Sequence, residues 1–213
     1  MGILDTFKKA FGDDDPSKLN EYQCYIKAQE NNWDREAGNY INPKKALIFL
    51  DRSIELNPNK VEAYIGRGLA YTKLNDLNQA LINFTKAIEL EPTAKNYFCL
   101  GLCLFKFDKN KEALKYLDIA IQYDPNDIPC LCLRAGIYAI LRRFDLAILE
   151  NDKLIQLEPN NPIYYVCRGY QYYELGQFQK AIADYDTAIR LHPGSPEIRE
   201  YRRMAQEKLQ QIK

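Results

Sequence analysis

Six cysteines and a single histidine are the residues of this chain best suited to nucleophilic or metal chemistry. Cys99 and Cys103 form a Cys-x3-Cys pair and Cys130 and Cys132 a Cys-x-Cys pair, while Cys24 and Cys167 stand apart. Zinc sites are commonly built on Cys-x2-Cys pairs, which hold two thiolates on one ion. The chain has no such pair, so no metal site and no cofactor are expected. The N-terminus carries no charged segment, long apolar stretch and cleavage site of a secretory leader, so a reducing cytoplasmic compartment and free thiols are expected. Free thiols in such a chain read as small buried hydrophobes. A cysteine nucleophile would have to use His192, which precedes Pro193 at a helix end, where a cation suits the helix dipole. The Gly66-Arg67-Gly68 stretch falls inside a helical pattern rather than between a strand and a helix, so it is no phosphate loop. Asp184 and Asp186 read as helix-surface acids. The chain is therefore not expected to be an enzyme.

The elements that position these residues follow from a repeated phrase. Ile-Glu-Leu-Asn-Pro starts at Ile54, and relatives of it start at Ile88, Ile121, Ile155 and Ile189, spaced 34, 33, 34 and 34 residues apart. Aligned on it, further positions recur. One unit has Tyr64, Gly68, Tyr71, Ala80, Phe84, Ala87 and Pro92; the next has Tyr97, Gly101, Leu104, Ala113, Leu117, Ala120 and Pro125. A third has Leu131, Ala135, Tyr138, Ala147, Asn151, Leu154 and Pro159, and a fourth has Tyr165, Gly169, Tyr172, Ala181, Tyr185, Ala188 and Pro193. The first three positions share one helical face and the next three share a face of a second helix. Proline then stops the second helix. Asn59, Thr93, Asp127, Asn161 and Ser195 are expected to cap the helices that follow, with Pro162 and Pro196 at first helical positions. Arg67, Arg134 and Arg168 stand sixteen residues before Asn83, Glu150 and Asp184, which predicts a polar pair within three of the hairpins.

This pattern resembles the tetratricopeptide repeat, in which a large residue, Gly, Tyr, Ala, an aromatic, Ala and Pro recur over about 34 residues. The resemblance implies an all-α, right-handed solenoid of stacked antiparallel helix pairs. Its units are residues 61–94, 95–127, 128–161 and 162–195, preceded by a degenerate first unit over 17–60. The first helix of that unit is expected around Tyr22 to Trp33, followed by about six extra residues, and the second is marked by Ala46, Leu50 and Ile54. Residues 196–213 read as a C-terminal capping helix with a stripe at Ile198, Tyr201, Ala205, Leu209 and Ile212.

The resemblance also assigns a concave face to the first helix of each pair. The site residues it implies are Ile65, Leu69, Phe98, Cys99, Leu102, Phe105, Cys132, Leu133, Ile140, Val166, Tyr170 and Tyr173, and the same face also carries Gly66, Thr72, Gly136, Ala139 and Cys167. This is an apolar lane. Family members that hold chaperone tails grip a carboxylate with basic residues, whereas Ile65, Leu69, Cys99, Pro129 and Leu133 carry no charge here. Monomers rarely leave a large apolar patch facing water. A partner's apolar helix or extended segment fills the lane, or self-association covers it, or the superhelix closes on itself; the first reading is carried forward. Lysine plus arginine equals aspartate plus glutamate, at 29 each, so no basic footprint for nucleic acid is present.

Residues 1–16 precede the repeats. Ile3, Leu4, Phe7 and Phe11 share a narrow helical face, and Gly12 with three aspartates ends it. Asp15 and Pro16 are expected to start the next helix. Residues 1–11 suit a membrane surface, and the opening fits a myristoylation pattern at Gly2; docking on the repeats is the competing role. The function expected is a non-enzymatic scaffold or adaptor for a protein partner. The alternative is a structural, self-assembling and membrane-peripheral assembly factor that uses residues 1–11, with a homo-oligomer as its form.

Overall fold

The computed structural model describes residues 17, 19–30, 33–34, 39–40 and 42–212. Among these, eleven helices follow one another: α1 (Glu21–Glu30), α2 (Pro43–Leu56), α3 (Val61–Lys73), α4 (Leu77–Leu90), α5 (Ala94–Lys106), α6 (Asn110–Tyr123), α7 (Ile128–Ile140), α8 (Phe144–Leu157), α9 (Pro162–Glu174), α10 (Phe178–Leu191) and α11 (Pro196–Gln211). The chain divides into two compact units between Ala120 and Ile121, within α6. In the first, α1 packs on α2, α2 on α3, and α3 on α4; in the second, α7 packs on α8, α8 on α9, α9 on α10, and α10 on α11. The all-α helix-pair class is thus the one observed.

The first hairpin departs from expectation in detail. Its opening helix starts at Glu21, where Asn20 and Gln23 cap each other reciprocally through side chain and backbone at 2.9 and 3.0 Å. The expected start at Asp15 and Pro16 lies outside the described residues. Trp33 is not helical but lies in β1 (Trp33–Asp34), which pairs antiparallel with β2 (Asn39–Tyr40). The extra residues of the link therefore close a two-residue ladder before Asn42 caps α2 at the Lys45 amide. Ala28, Ala46, Phe49, Leu50, Ala63 and Ala70 are sealed in the core of this region, with Ile54 packed against them.

Close approach of the two helices explains the recurring small residue. A Cβ built on Gly68 would stand 2.8 Å from the Phe84 ring, on Gly101 2.9 Å from Leu117, and on Gly169 2.8 Å from the Tyr185 ring. Each glycine thus faces the large residue sixteen positions on. In the third repeat the exchange is reversed. Ala135 carries the extra methyl group and the facing residue shrinks to Asn151, both buried.

Each described hairpin between α3 and α10 turns the same way. Asn75, Asp108, Arg142 and Gly176 take φ of 62°, 58°, 55° and 72°. The amide after each donates to the carbonyl of Tyr71, Leu104, Tyr138 or Tyr172 at 2.8–2.9 Å, which closes the helix end with a left-handed residue. Glycine adopts this conformation without penalty, and Asn and Asp tolerate it. The tyrosine four places before the small residue anchors the other end. Tyr64 donates its hydroxyl to the Pro58 carbonyl at 3.1 Å and Tyr165 donates to that of Pro159 at 3.0 Å.

The three polar pairs form. Arg67 donates to Asn83 at 2.5 Å, Arg134 to Glu150 at 2.6 Å, and Arg168 to both oxygens of Asp184 at 2.9 and 2.7 Å. Arg67 and Arg168 also reach back sixteen residues to Asp51 and Asp152, at 2.9 and 2.6 Å. Each guanidinium therefore joins two successive second helices. The hydrogen bonds of Asp184 and then Asp152 hold Arg168 above the ordinary range of an arginine, against the opposing effect of burial. Asp184, expected on the surface, is buried by this pairing. Where Leu100 replaces the arginine, it is buried as an apolar residue.

Two capping expectations change. Thr93, Asp127 and Asn161 accept from the amides of Asn96, Cys130 and Ile163. However, Lys60 rather than Asn59 is the N-cap of α3 and makes no side-chain cap. Ser195 stands at its N-cap but turns its hydroxyl to Glu197 at 2.7 Å. The stripe of α11 is buried at Ile198 and Ala205, whereas Tyr201 is 45% exposed and Ile212 67% exposed.

Two stability outcomes follow from this packing. Gly169→Ala should cost about 1–3 kcal/mol by overpacking the Tyr185 ring. Gly136→Ala, with no atom within 4 Å of its new Cβ, should instead stabilise by up to about 1 kcal/mol through helix propensity. Urea midpoints compare the two, and equal effects would disprove the packing account. Arg168→Ala should cost about 2–3 kcal/mol by stranding Asp184. The double change Arg168→Leu/Asp184→Leu should recover most of that loss in thermal unfolding, as the apolar Leu100 position suggests.

Candidate functional site

The second unit holds an apolar cavity of about 370 Å³ between α7 and α9. Cys132, Ala135, Gly136 and Ala139 of α7 form one wall, and Ile163, Tyr164, Val166, Cys167, Tyr170 and Gln171 of α9 form the other. Asn151 and Leu154 of α8 and Tyr201 of α11 complete the lining. Helical spacing brings these residues together, because positions three and four apart share a face. The space itself comes from residue size. Gly136 occupies the place held by Leu69, Leu102 and Tyr170 in the other repeats, and nothing lies within 4 Å of its missing Cβ.

The cavity mouth is apolar and open. Ile163 is 63% exposed and Tyr170 48%. The Tyr170 ring meets Phe144 edge-on with centroids 6.4 Å apart, and Tyr201 leans on Tyr185 at 6.0 Å. At one side the Tyr164 hydroxyl donates to Glu158 at 2.7 Å. That bond, helped by one from Asn161, holds the Glu158 carboxyl below its usual value. Burial, then the Glu158 carboxylate, pushes the Tyr164 hydroxyl above its ordinary range.

Of the expected lane residues, Cys132, Val166 and Tyr170 meet around this cavity, together with Gly136, Ala139 and Cys167. Leu133 is half-buried, Ile140 is exposed at the end of α7, and the Tyr173 ring packs edge-on against Phe178 at 5.4 Å. In the first unit, Ile65, Leu69, Phe98, Cys99, Leu102 and Phe105 are all half-buried, and Leu69 packs against the first core cluster. Residues 1–11, with Ile3, Leu4, Phe7 and Phe11, lie outside the described residues. Sequence reasoning missed Asn151, Leu154, Ile163, Tyr164, Gln171 and Tyr201. Gln171 carried a trace of its role, because the matching places are Ala70, Cys103 and Ile137.

The cysteines split into two groups. Cys24, Cys103 and Cys130 are buried, as small hydrophobes would be, and Cys99 is partly buried. Cys132 and Cys167 are instead exposed and line the open cavity. None of the six forms a disulfide. Burial pushes the Cys132 and Cys167 thiols up, and Cys132 adds to the rise at Cys167. Burial also takes Cys99 up to about 11, with Lys95 opposing the shift. A protonated thiol is a poor nucleophile and metal ligand. Among the described residues no group of three or more His, Cys, Asp or Glu is placed to hold a metal ion. No described helix is long and apolar enough to cross a membrane.

Residues 61–93 and 162–195 match the family model of the tetratricopeptide repeat. A stretch of 56 residues is 43% identical to the UDP-N-acetylglucosamine–peptide N-acetylglucosaminyltransferase of Giardia intestinalis, covering 26% of this chain and 4% of that protein. Over 128 residues the chain is 29% identical to the Hsp70-Hsp90 organizing protein of Triticum aestivum, covering 58% of this chain and 22% of the relative. The chain thus spans less than a quarter of the length of either. The fold is similar to the crystal structure of YrrB, a TPR protein with an unusual peptide-binding site. That likeness has a TM-score of 0.67 at 22% identity and covers 92% of this chain and 97% of the other.

The raised thiol values give a chemical test. In the folded protein at pH 8, iodoacetamide should alkylate Cys99 at least about tenfold more slowly than in urea, because only the thiolate reacts. Peptide mass spectrometry reads the rates, and equal rates would show that burial does not hold this thiol protonated.

Proposed function

This is a tetratricopeptide-repeat chain, and from that premise we propose that it acts as a non-enzymatic interaction module. Its ligand is an apolar segment of a protein partner, held in the cavity between α7 and α9. One observation carries the reading: the cavity has an apolar lining and an open mouth in which Ile163 and Tyr170 expose large side chains. Burying such surface favours association, and buried aromatic residues commonly anchor interfaces. A carboxylate-ended tail is a poor ligand for this cavity, since its lining residues include no lysine, arginine or histidine. The peptide-binding site named for YrrB and the organizing role named for the wheat relative agree with an interaction role and do not choose the ligand. Raised thiols at Cys132 and Cys167 fit contact rather than catalysis.

Filling the cavity tests the reading without disturbing the core. Gly136→Leu restores the residue type found at Leu69 and Leu102, at a place with open space. Full-length wild type would be used to select peptides from a displayed random library, and the variant would then be challenged with the selected peptides. Apolar peptides should be selected and should lose at least about tenfold in affinity to the variant, with thermal stability unchanged or raised. Equal binding by both proteins would place the contact elsewhere.

A further inference from the structure

One buried polar pair breaks the apolar wall of the cavity. Asn151 and Gln171 are 2% and 3% exposed, and both line the cavity. Asn151 donates Nδ2 to the Ala147 carbonyl at 2.9 Å and to Gln171 Oε1 at 3.1 Å. The helix carbonyl fixes the Asn151 orientation, because its nitrogen must face an acceptor. Asn151 in turn fixes Gln171, whose oxygen must face the Asn151 nitrogen. Asn151 Oδ1 and Gln171 Nε2 are left over, and neither has a hydrogen-bond partner among the described residues. Neither is among the sealed polar atoms that lack a partner, so both keep some solvent access, and both residues line the cavity.

We propose that Asn151 Oδ1 and Gln171 Nε2 recognise the main-chain N–H and C=O of one residue in an extended apolar segment of the partner. This rests on the cavity reading above and names what the cavity reads. In the free protein, solvent satisfies the two atoms. An occupant that expelled the solvent without replacing those bonds would leave a donor and an acceptor buried and unpaired, which opposes binding. The occupant must therefore bring one donor and one acceptor into an apolar wall. A segment with apolar side chains has only its backbone to offer. Within a helix those groups are already bonded to each other. In an extended chain, one residue presents its N–H and C=O to the same side, as paired strands do. The two carboxamides thus act as a one-residue strand edge. The pair spans the third and fourth repeats and recurs at no other junction, since the matching places hold Phe84, Leu117 and Tyr185 for Asn151, and Ala70, Cys103 and Ile137 for Gln171.

The test uses full-length, isotope-labelled protein and N-acetyl-leucine N′-methylamide, which is one apolar residue flanked by two peptide groups. NMR titration should show saturable shifts at the Asn151 and Gln171 side-chain amides and at Val166, Cys167 and Tyr170. A dissociation constant of about a millimolar is expected for so small a ligand. N-methylation of the leucine nitrogen, which removes the N–H, should weaken binding at least about tenfold. So should Gln171→Met, which keeps the side-chain shape and removes the donor. The ligand-side change needs no variant, so the outcome does not depend on how Gln171→Met folds. If the cavity residues shift but neither change alters affinity, the amide recognition is wrong while the apolar cavity reading stands. If propionamide binds as well as the leucine probe, a side-chain carboxamide replaces the main chain and the proposal is overturned. If no probe shifts Val166, Cys167 or Tyr170, the cavity reading itself falls and takes this inference with it.

Discussion

Where two helices approach most closely, a small residue on one makes room for a large side chain on the other. In this protein the room is made at Gly68, Gly101 and Gly169, whose α-carbons lie against Phe84, Leu117 and Tyr185. A methyl group at any of these places would sit inside the van der Waals distance of its neighbour. The remaining features of the hairpin depend on that contact. It sets how close the helices come, and so which alanines are sealed between them: Ala80, Ala87, Ala113, Ala120, Ala181 and Ala188 are all fully buried. It also fixes the register at which an arginine one place before the small residue meets an acid or amide sixteen places on.

The arginines turn this local contact into a link between repeats. Arg168 holds Asp184 in its own hairpin and Asp152 in the helix before it, so one planar guanidinium spans three helices. Arg67 does the same with Asn83 and Asp51. The planar fork suits this double use, which a lysine ammonium could not copy. The left-handed residues Asn75, Asp108, Arg142 and Gly176 play a parallel part at the turns, ending each first helix at the same point. Periodicity in the sequence is thus the trace of three separate physical requirements, namely close approach, charge pairing and turn geometry.

The third repeat shows what happens when the rule is broken. Ala135 takes up room at the close approach, and Asn151 replaces the large partner. Gly136 then leaves the groove side empty where other repeats hold a leucine or tyrosine. A packing exchange inside the hairpin and a missing side chain outside it together produce the cavity. The cavity lies where repetition is least regular.

Much of the fold was legible because each requirement leaves its mark at a fixed spacing. Repeats of 33 and 34 residues, prolines at the helix ends and three arginine pairs could be read from residue types alone. The first hairpin was less legible, since its two-residue ladder and its Asn20–Gln23 cap repeat nowhere else. That Cys132, Val166 and Tyr170 lie on the inward-spaced positions of their helices could be read, and all three line the cavity. The cavity itself could not, because volume depends on which neighbours fail to fill it. Tyr201 reaches the lining from a different helix pair, and Asn151 meets Gln171 twenty residues further along the chain. The sequence by itself determined the helix pairs, their turns and their polar clasps, because these are contacts at constant separation within a repeat. Only the tertiary structure decided where space is left and which polar residues line it, because those properties belong to several helices at once.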